Sequence, residues 1–359
     1  MQGAEQVAVA WWLRGATAQT LWARLARSRH LVRFEREVLT TDDDDDLVLD
    51  HAAGPADSPR LLLLHGLEGS AHSLHTQGLA VQAARVGWRC TVLNFRSCAR
   101  DPQQISRRLK NRRARLYHSG DTADLDFALR VLAAREPDVP IYAVGFSLGG
   151  NVLLKWLGEA GAASTIRGAA TISVPYDLAA ASRYLERPGA RFYTYHFLRR
   201  LKPKALDVLA RFPRETAHLD AVRIGAARTV AEFDERVTAP MHGFTSAEDY
   251  YQRSSSLGYL PRIAVPTLCI SSEDDPFYPP EAVERARAAG SRAVTFEVTP
   301  WGGHTGFVSG PWPWRPRYWA EERVVDWLGE LQAGAEAQAA AEAKAAAEAQ
   351  RQPGAVAEL

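Results

Sequence analysis

The chain alternates short apolar runs with longer stretches of helical spacing. Trp11-Trp12-Leu13 leads into Thr20 to Ala26, which predicts an amphipathic helix carrying aromatic residues. Phe34 to Thr40 and Leu47 to Asp50 predict two strands. The run Asp42 to Asp46 between them predicts a solvated hairpin turn, because like charges repel and stay wet. Pro55 to Pro59 is a second turn. In Arg60 to His65 the four residues Leu61 to Leu64 are apolar on both faces, the mark of a buried strand. Leu79 to Val86 predicts a helix, and Cys90 to Phe95 the next buried strand. Thr122 to Arg135 places Leu125, Ala128, Leu129 and Leu132 on one helical face. Ile141 to Val144 is another short apolar run, and Asn151 to Leu157 opens a helix with an apolar stripe. Gly168 to Val174, Val265 to Ser271 and Ala293 to Val298 complete the strands. Tyr318 to Leu331 predicts a last helix burying Val324, Trp327, Leu328 and Leu331. Strands separated by helical patterns imply an α/β fold with a mostly parallel central sheet flanked by helices.

The alternation stops from about Pro175 to Arg262. That stretch is helix-like and rich in Arg and aromatics: Tyr184, Phe192, Tyr193, Tyr195, Phe197, Phe212, Phe233, Phe244, Tyr250 and Tyr251. It predicts a helical cap, inserted at about 175–262 into a domain spanning 1–332. Most of its aromatics are expected to pack the cap itself, and a minority to face a ligand. Beyond about Ala333 the Ala/Glu-rich composition offers little that could pack, so 333–359 is a low-complexity tail or a solvated helix.

The 359 residues carry a net charge of +1, so no bulk field points to nucleic acid or membrane. The basic stretch 107–115 lacks interleaved aromatics and predicts a solvated basic loop or helix, not a nucleic-acid platform. Three cysteines, Cys90, Cys98 and Cys269, are widely spaced and imply neither a disulfide framework nor a zinc site. No H-E-x-x-H or comparable ligand spacing involves His65, His72 or His75, so neither metal nor cofactor is expected. Val7 to Leu13 lacks the pattern of a signal peptide, and no apolar run reaches membrane-spanning length. The expectation is a cytoplasmic protein with no stable membrane insertion.

The candidate chemistry lies at the ends of the strands. Gly145-Phe146-Ser147-Leu148-Gly149-Gly150, between a predicted strand and a predicted helix, has the G-x-S-x-G pattern of a nucleophile elbow. Small residues flank the serine because the turn crowds its own backbone. The loop His65-Gly66-Leu67 follows an early strand and offers the Leu67 N–H as one oxyanion donor, with the Leu148 N–H as the other. His65 is expected to support its loop, not to act as a base. Asp274-Asp275-Pro276 follows one later strand and Gly302-Gly303-His304 the last. The chain order Ser147, Asp, His304 is that of α/β-hydrolases. Asp275 is the expected acid, with Asp274 as the alternative. These roles predict a serine hydrolase that cleaves carboxylic esters through an acyl-enzyme. The same residues would serve an acyltransferase if an alcohol replaced water. The rival from another class is an α/β-hydrolase fold used without catalysis as a ligand-binding protein.

The chain also resembles the YheT-like (AB hydrolase-4) family of α/β-hydrolases. The pieces that carry the resemblance are Leu64 to Ser70, Asn94-Phe95-Arg96, Leu116 to Asp121, Ala143 to Gly158, Phe233-Asp234, Thr238 to Phe244, Asp274 to Phe277 and Gly302-Gly303-His304. The resemblance implies a Ser-His-Asp hydrolase acting on short- to medium-chain acyl esters or lipids. One departure stands out. Where the family pattern is Arg-Gly-Cys-x-Gly, this chain has Arg96-Ser97-Cys98-Ala99-Arg100.

Overall fold

The computed structural model describes residues 9–27, 32–101, 103–104 and 106–351. The first residues of the Val7–Leu13 patch and the last of the Ala/Glu-rich tail lie outside the described residues. Eight strands form one sheet: β1 (Phe34–Thr40), β2 (Asp46–Ala52), β3 (Arg60–Leu64), β4 (Arg89–Asn94), β5 (Ile141–Phe146), β6 (Ile166–Ile172), β7 (Thr267–Ser272) and β8 (Val294–Thr299). Their spatial order is β1-β2-β4-β3-β5-β6-β7-β8. β1 and β2 form an antiparallel hairpin, and β2 joins β4 antiparallel. From β4 to β8 every pairing is parallel.

Helices cover both faces. Leu62 and Leu64 of β3 pack with α3 (Ala123–Arg135) and α4 (Leu148–Ala160), while Leu61 and Leu63 pack with α2 (Leu74–Arg85) and the helix Trp319–Arg351. All four leucines are fully buried, which is why this run lacks the alternation of a half-exposed strand. Among the described residues no helix is long and apolar enough to cross a membrane.

The helix predicted at Leu79 begins earlier, at Leu74. Gly78 hides that start in the sequence. A Cβ at Gly78 would lie 1.5 Å from the Arg27 guanidinium and 2.3 Å from a Glu321 carboxylate oxygen, so the Arg27–Glu321 ion pair needs glycine there. A helix at Pro280–Ala289 had no counterpart in the sequence reading; it buries Ala282, Val283 and Ala286. The last helix runs on unbroken to Arg351, with side chains from Ala333 to Glu348 exposed.

Two charged segments differ from expectation. The Asp42–Asp46 turn is not simply solvated, and the basic stretch 107–115 is not a free basic surface, because the two dock on each other. Asp44 pairs with Arg112 at 3.2 Å and Arg113 at 3.0 Å, and Asp46 with Arg112 at 3.1 Å. Asp43 pairs with Arg115 at 3.3 Å and with Arg96 at 2.8 Å. Asp45 is fully buried; it accepts from the Arg112 backbone N–H at 2.7 Å and pairs with Arg96 at 2.9 Å. The Arg96 guanidinium also holds Asp124 at 2.7 Å. Hydrogen bonding from Arg96 holds the Asp43 carboxyl well below the usual range. Asp43, Asp44, Arg112 and Arg113 stay exposed, and the mutual neutralisation lets Asp45 and Arg96 be buried beneath them.

The segment after β6 carries helices, among them α5 (Leu178–Leu185) and α6 (Arg191–Arg211), before the chain returns to the sheet at β7. Of its ten named aromatics, Tyr193, Phe197, Phe233, Tyr250 and Tyr251 line the large cavity described below. That is half, not the expected minority. Phe233 also packs in the apolar cluster of this segment, so one side chain serves both surfaces. Phe192 and Tyr195 face solvent.

Candidate active site

β5 is buried along its whole length and ends in a sharp turn at Ser147, whose φ is 51° and ψ −117°. A β-carbon on Gly145 would come within 2.5 Å of the Gly150 backbone, and one on Gly149 within 2.5 Å of the His65 carbonyl oxygen. Only glycine permits both approaches. The Ser147 N–H donates to the Ile172 carbonyl at 2.9 Å, which extends the β5–β6 pairing into the turn. Residue 148 opens α4, where the first N–H groups have no acceptor inside the helix. The His65-Gly66 loop after β3 reaches the same place: a Cβ on Gly66 would sit 3.4 Å from that of Ser147.

Two loops bring the other candidates to Ser147. His304 follows β8, and its Nε2 lies 2.9 Å from Ser147 Oγ. Its Nδ1 lies 2.9 Å from Asp275 Oδ2, in the loop after β7. A carboxylate accepts only, so Nδ1 carries the proton and Nε2 faces the serine hydroxyl as acceptor. Asp275 is almost fully buried, and its Oδ1 accepts the Phe277 N–H at 2.8 Å. The Phe277 ring stacks on the imidazole with centroids 3.9 Å apart. Asp274 points elsewhere: its Oδ1 accepts the Gly303 N–H at 2.8 Å. The two adjacent acids thus hold different parts of one loop, Asp275 the imidazole and Asp274 the backbone beside it.

His65 donates from Nδ1 to the Gly66 carbonyl at 2.8 Å and accepts the Phe95 N–H on Nε2 at 3.1 Å. Burial pulls its pKa down to about 4, so it stays neutral and braces the loop. His75 Nε2 lies 3.0 Å from Thr305 Oγ1, next to His304. Among the described residues no three His, Cys, Asp or Glu side chains converge as a metal site. The three cysteines are buried and unbridged.

Several further residues support the site, and of these Thr20 and Gln19 carried no sequence signal. The His304 N–H donates to Thr20 Oγ1 at 2.9 Å, from α1 (Ala16–Ala26). Gln19, also on α1, bonds both the N–H and the carbonyl of Val308. Asn151 is fully buried on α4; its amide donates to the Ser119 and Ser254 carbonyls at 2.8 and 2.7 Å and accepts the Ser256 N–H at 2.9 Å. A lone Asn in the apolar stripe of that helix was the available hint. The His118 and His242 rings meet at a tilt of 55° with centroids 4.6 Å apart, and burial pulls both pKa values down to about 3.

Ser147 and His304 open onto a cavity of about 650 Å³. Its lining is largely apolar, with Leu185, Phe197, Leu201, Met241 and Phe277 among the walls, and His118 and His242 also reach it.

A family model for the alpha/beta hydrolase fold matches residues 59–311. The chain is 36% identical over 313 residues to the Escherichia coli protein named "Putative esterase YheT", covering 86% of this chain and 89% of that one. It is 29% identical over 316 residues to a Bos taurus protein named "Phospholipase ABHD3", covering 86% and 74%. Among solved structures, the Pyrococcus furiosus esterase Pf2001 superposes with a TM-score of 0.53 at 16% identity, over 84% of this chain and 91% of that one, a likeness of fold alone. The chain belongs to the α/β-hydrolase fold family, among its YheT-like members.

Proposed function

We propose that this protein cleaves carboxylic esters through an acyl-enzyme on Ser147, with His304 as general base and acid and Asp275 as the group that orients it. Enzymes named esterase and phospholipase are its relatives, and the reaction class is carboxylic ester hydrolysis. One observation carries the residue roles: the unbroken line Asp275–His304–Ser147, with both contacts at 2.9 Å, opens on a mainly apolar cavity.

In the first step Ser147 Oγ attacks the ester carbonyl while His304 Nε2 takes the hydroxyl proton. Asp275 fixes the tautomer and stabilises the imidazolium. Negative charge develops on the former carbonyl oxygen. The Leu148 N–H, at the first position of α4, and the Leu67 N–H, in the loop against Ser147, are the proposed donors to it. Each such donor contributes about 3–4 kcal/mol where one has been removed from other enzymes. The intermediate collapses, the C–O bond to the alcohol breaks, and His304 returns the proton to the leaving alkoxide. Water, deprotonated by His304, then cleaves the acyl-enzyme and restores Ser147.

The segment 175–262 acts as a cap that keeps water from this centre and shapes the acyl pocket. A cavity of about 650 Å³ lies within the range of small-molecule sites and suits a short- to medium-chain acyl ester or lipid. A p-nitrophenyl ester series of increasing acyl length tests the proposal. The expected result is a burst of p-nitrophenol, a Ser147-bound acyl group by mass spectrometry, and a rate optimum at short to medium chains. Turnover retained in Ser147→Ala would contradict it.

A further inference from the structure

The wall of the cavity beside the His65–Ser70 loop carries more positive charge than its carboxylates neutralise. Glu68 is the buried acid there. Its Oε1 accepts from Lys204 Nζ at 2.6 Å and from the Tyr117 hydroxyl at 3.1 Å, and its Oε2 is held by Arg108. Burial alone would raise its pKa, but Lys204 and Arg108 hold the carboxyl below its ordinary range. This carboxylate is therefore fully engaged by two cations.

A third cation sits beside them. Arg100 lines the same cavity as Ser147 and His304. Its backbone is fixed: its carbonyl accepts from Arg36, and it bridges Arg108. Among the described residues no carboxylate pairs with its guanidinium, whereas Arg96, Arg108, Arg112, Arg113 and Arg115 in the same two segments all have ionic partners. Partial burial lowers the Arg100 pKa, and the neighbouring Arg108 adds to that, against a smaller opposing pull from Cys98 and Glu68. The guanidinium still keeps its charge. Arg100 also stands where the family pattern Arg-Gly-Cys-x-Gly ends in glycine, so relative to that pattern it is an added cation at the cavity wall.

We infer that Arg100 forms an anion-recognising subsite in the active-site cavity, and that the ester taken there carries a phosphate or a carboxylate. The inference rests on the ester-hydrolase reading above and names its substrate class. A planar guanidinium meets either oxyanion with two parallel hydrogen bonds. Arg108 and Lys204 occupy both oxygens of Glu68 and add long-range attraction for an anion. They are positioning residues in this scheme.

Three soluble butyrates separate the possibilities: glycerol monobutyrate, its 3-phosphate, and O-butyryl glycolate. The wild type should prefer an anionic ester over the neutral one by about ten-fold or more in kcat/KM, the size expected for charge-assisted hydrogen bonds to one ligand group. The preference should shrink with added salt. In Arg100→Gln the ratio should collapse toward one, while Arg100→Lys keeps part of it. Inorganic phosphate should compete with the neutral ester in the wild type and less so in Arg100→Gln. The ester showing the larger gain identifies phosphate or carboxylate as the recognised group. Equal turnover of all three by the wild type, or an unchanged ratio in a folded Arg100→Gln, would overturn the subsite and leave the hydrolase reading standing. No turnover of any ester, with no acyl group on Ser147, would overturn both.

Discussion

The backbone N–H of His304 donates to the Thr20 hydroxyl at 2.9 Å, across 284 positions of sequence. Thr20 lies outside the segment matched by the family model, yet it fixes the loop that carries the imidazole. Around it α1 packs so closely that a Cβ on Gly303 would meet the Ala16 carbonyl at 2.4 Å and one on Gly306 the Gln19 carbonyl at 2.4 Å. Thr20→Val keeps the shape and removes the acceptor. The expected result is a fall in kcat of about ten-fold with little change in KM, since a net hydrogen bond of about 1 kcal/mol is lost and the N–H is left unpaired. Steady-state kinetics on p-nitrophenyl butyrate checks it, and an unchanged kcat would show that α1 is not needed to hold the loop.

The two adjacent acids predict unequal losses. Asp275→Asn leaves His304 with a partner that no longer fixes the reactive tautomer, and kcat should fall by about 10³–10⁴-fold. Asp274→Ala removes only the acceptor of the Gly303 N–H and should cost about ten-fold or less. Comparable losses in the two folded variants would contradict the assignment of Asp275.

Arg96 is the centre of the charge cluster that joins β1, β2 and the basic loop. It is buried and touches Asp43, Asp45 and Asp124. Arg96→Met leaves these carboxylates uncompensated and should destabilise the fold by about 3–5 kcal/mol, read from the urea midpoint. The surface pair Arg130–Asp42 is a control: Arg130→Ala should leave the urea midpoint essentially where it is, because water screens an exposed pair.

Buried histidines set the acid limit. Folding lowers His118 and His242 to about 3 and His65 to about 4, from an ordinary 6.5. Between pH 6.5 and these values the unfolded chain binds more protons than the folded one, so stability is present above pH 6.5 and lost as pH falls. Each proton contributes a slope of about 1.4 kcal/mol per pH unit. Asp234 opposes this trend. Burial raises it from 3.8 to about 6, so its contribution is full below pH 3.8 and lost as pH rises through 6. Three histidines outweigh one aspartate, and net acid destabilisation is expected. Urea midpoints of the wild type and His242→Gln across pH 4 to 8 check this, with the shallower slope in the variant.

The parts of the fold that local pattern determines were legible in the sequence. Leu61 to Leu64 could only be a strand buried on both faces, and a serine flanked by glycines between a strand and a helix marked the turn at Ser147. The order of Asp275 and His304 after later strands was enough to name residues that the fold brings into one hydrogen-bonded line. What stayed hidden is non-local. Asp42–Asp46 and residues 107–115 each read as wet when taken alone, and many of their side chains are exposed; the sequence did not show that the two segments pair with each other. Thr20 and Gln19 look like ordinary helix residues until the chain folds back on itself. Gly78 concealed a helix start because its reason is the distant Arg27–Glu321 pair.

The proposed chemistry requires Ser147 to be an activated nucleophile. Labelling the purified full chain with a fluorophosphonate, and locating the adduct by peptide mass spectrometry, tests it most directly. One adduct is expected, on Ser147, abolished in Ser147→Ala and strongly slowed in His304→Gln. A well-folded protein that takes no label, or takes it on another residue, would contradict it.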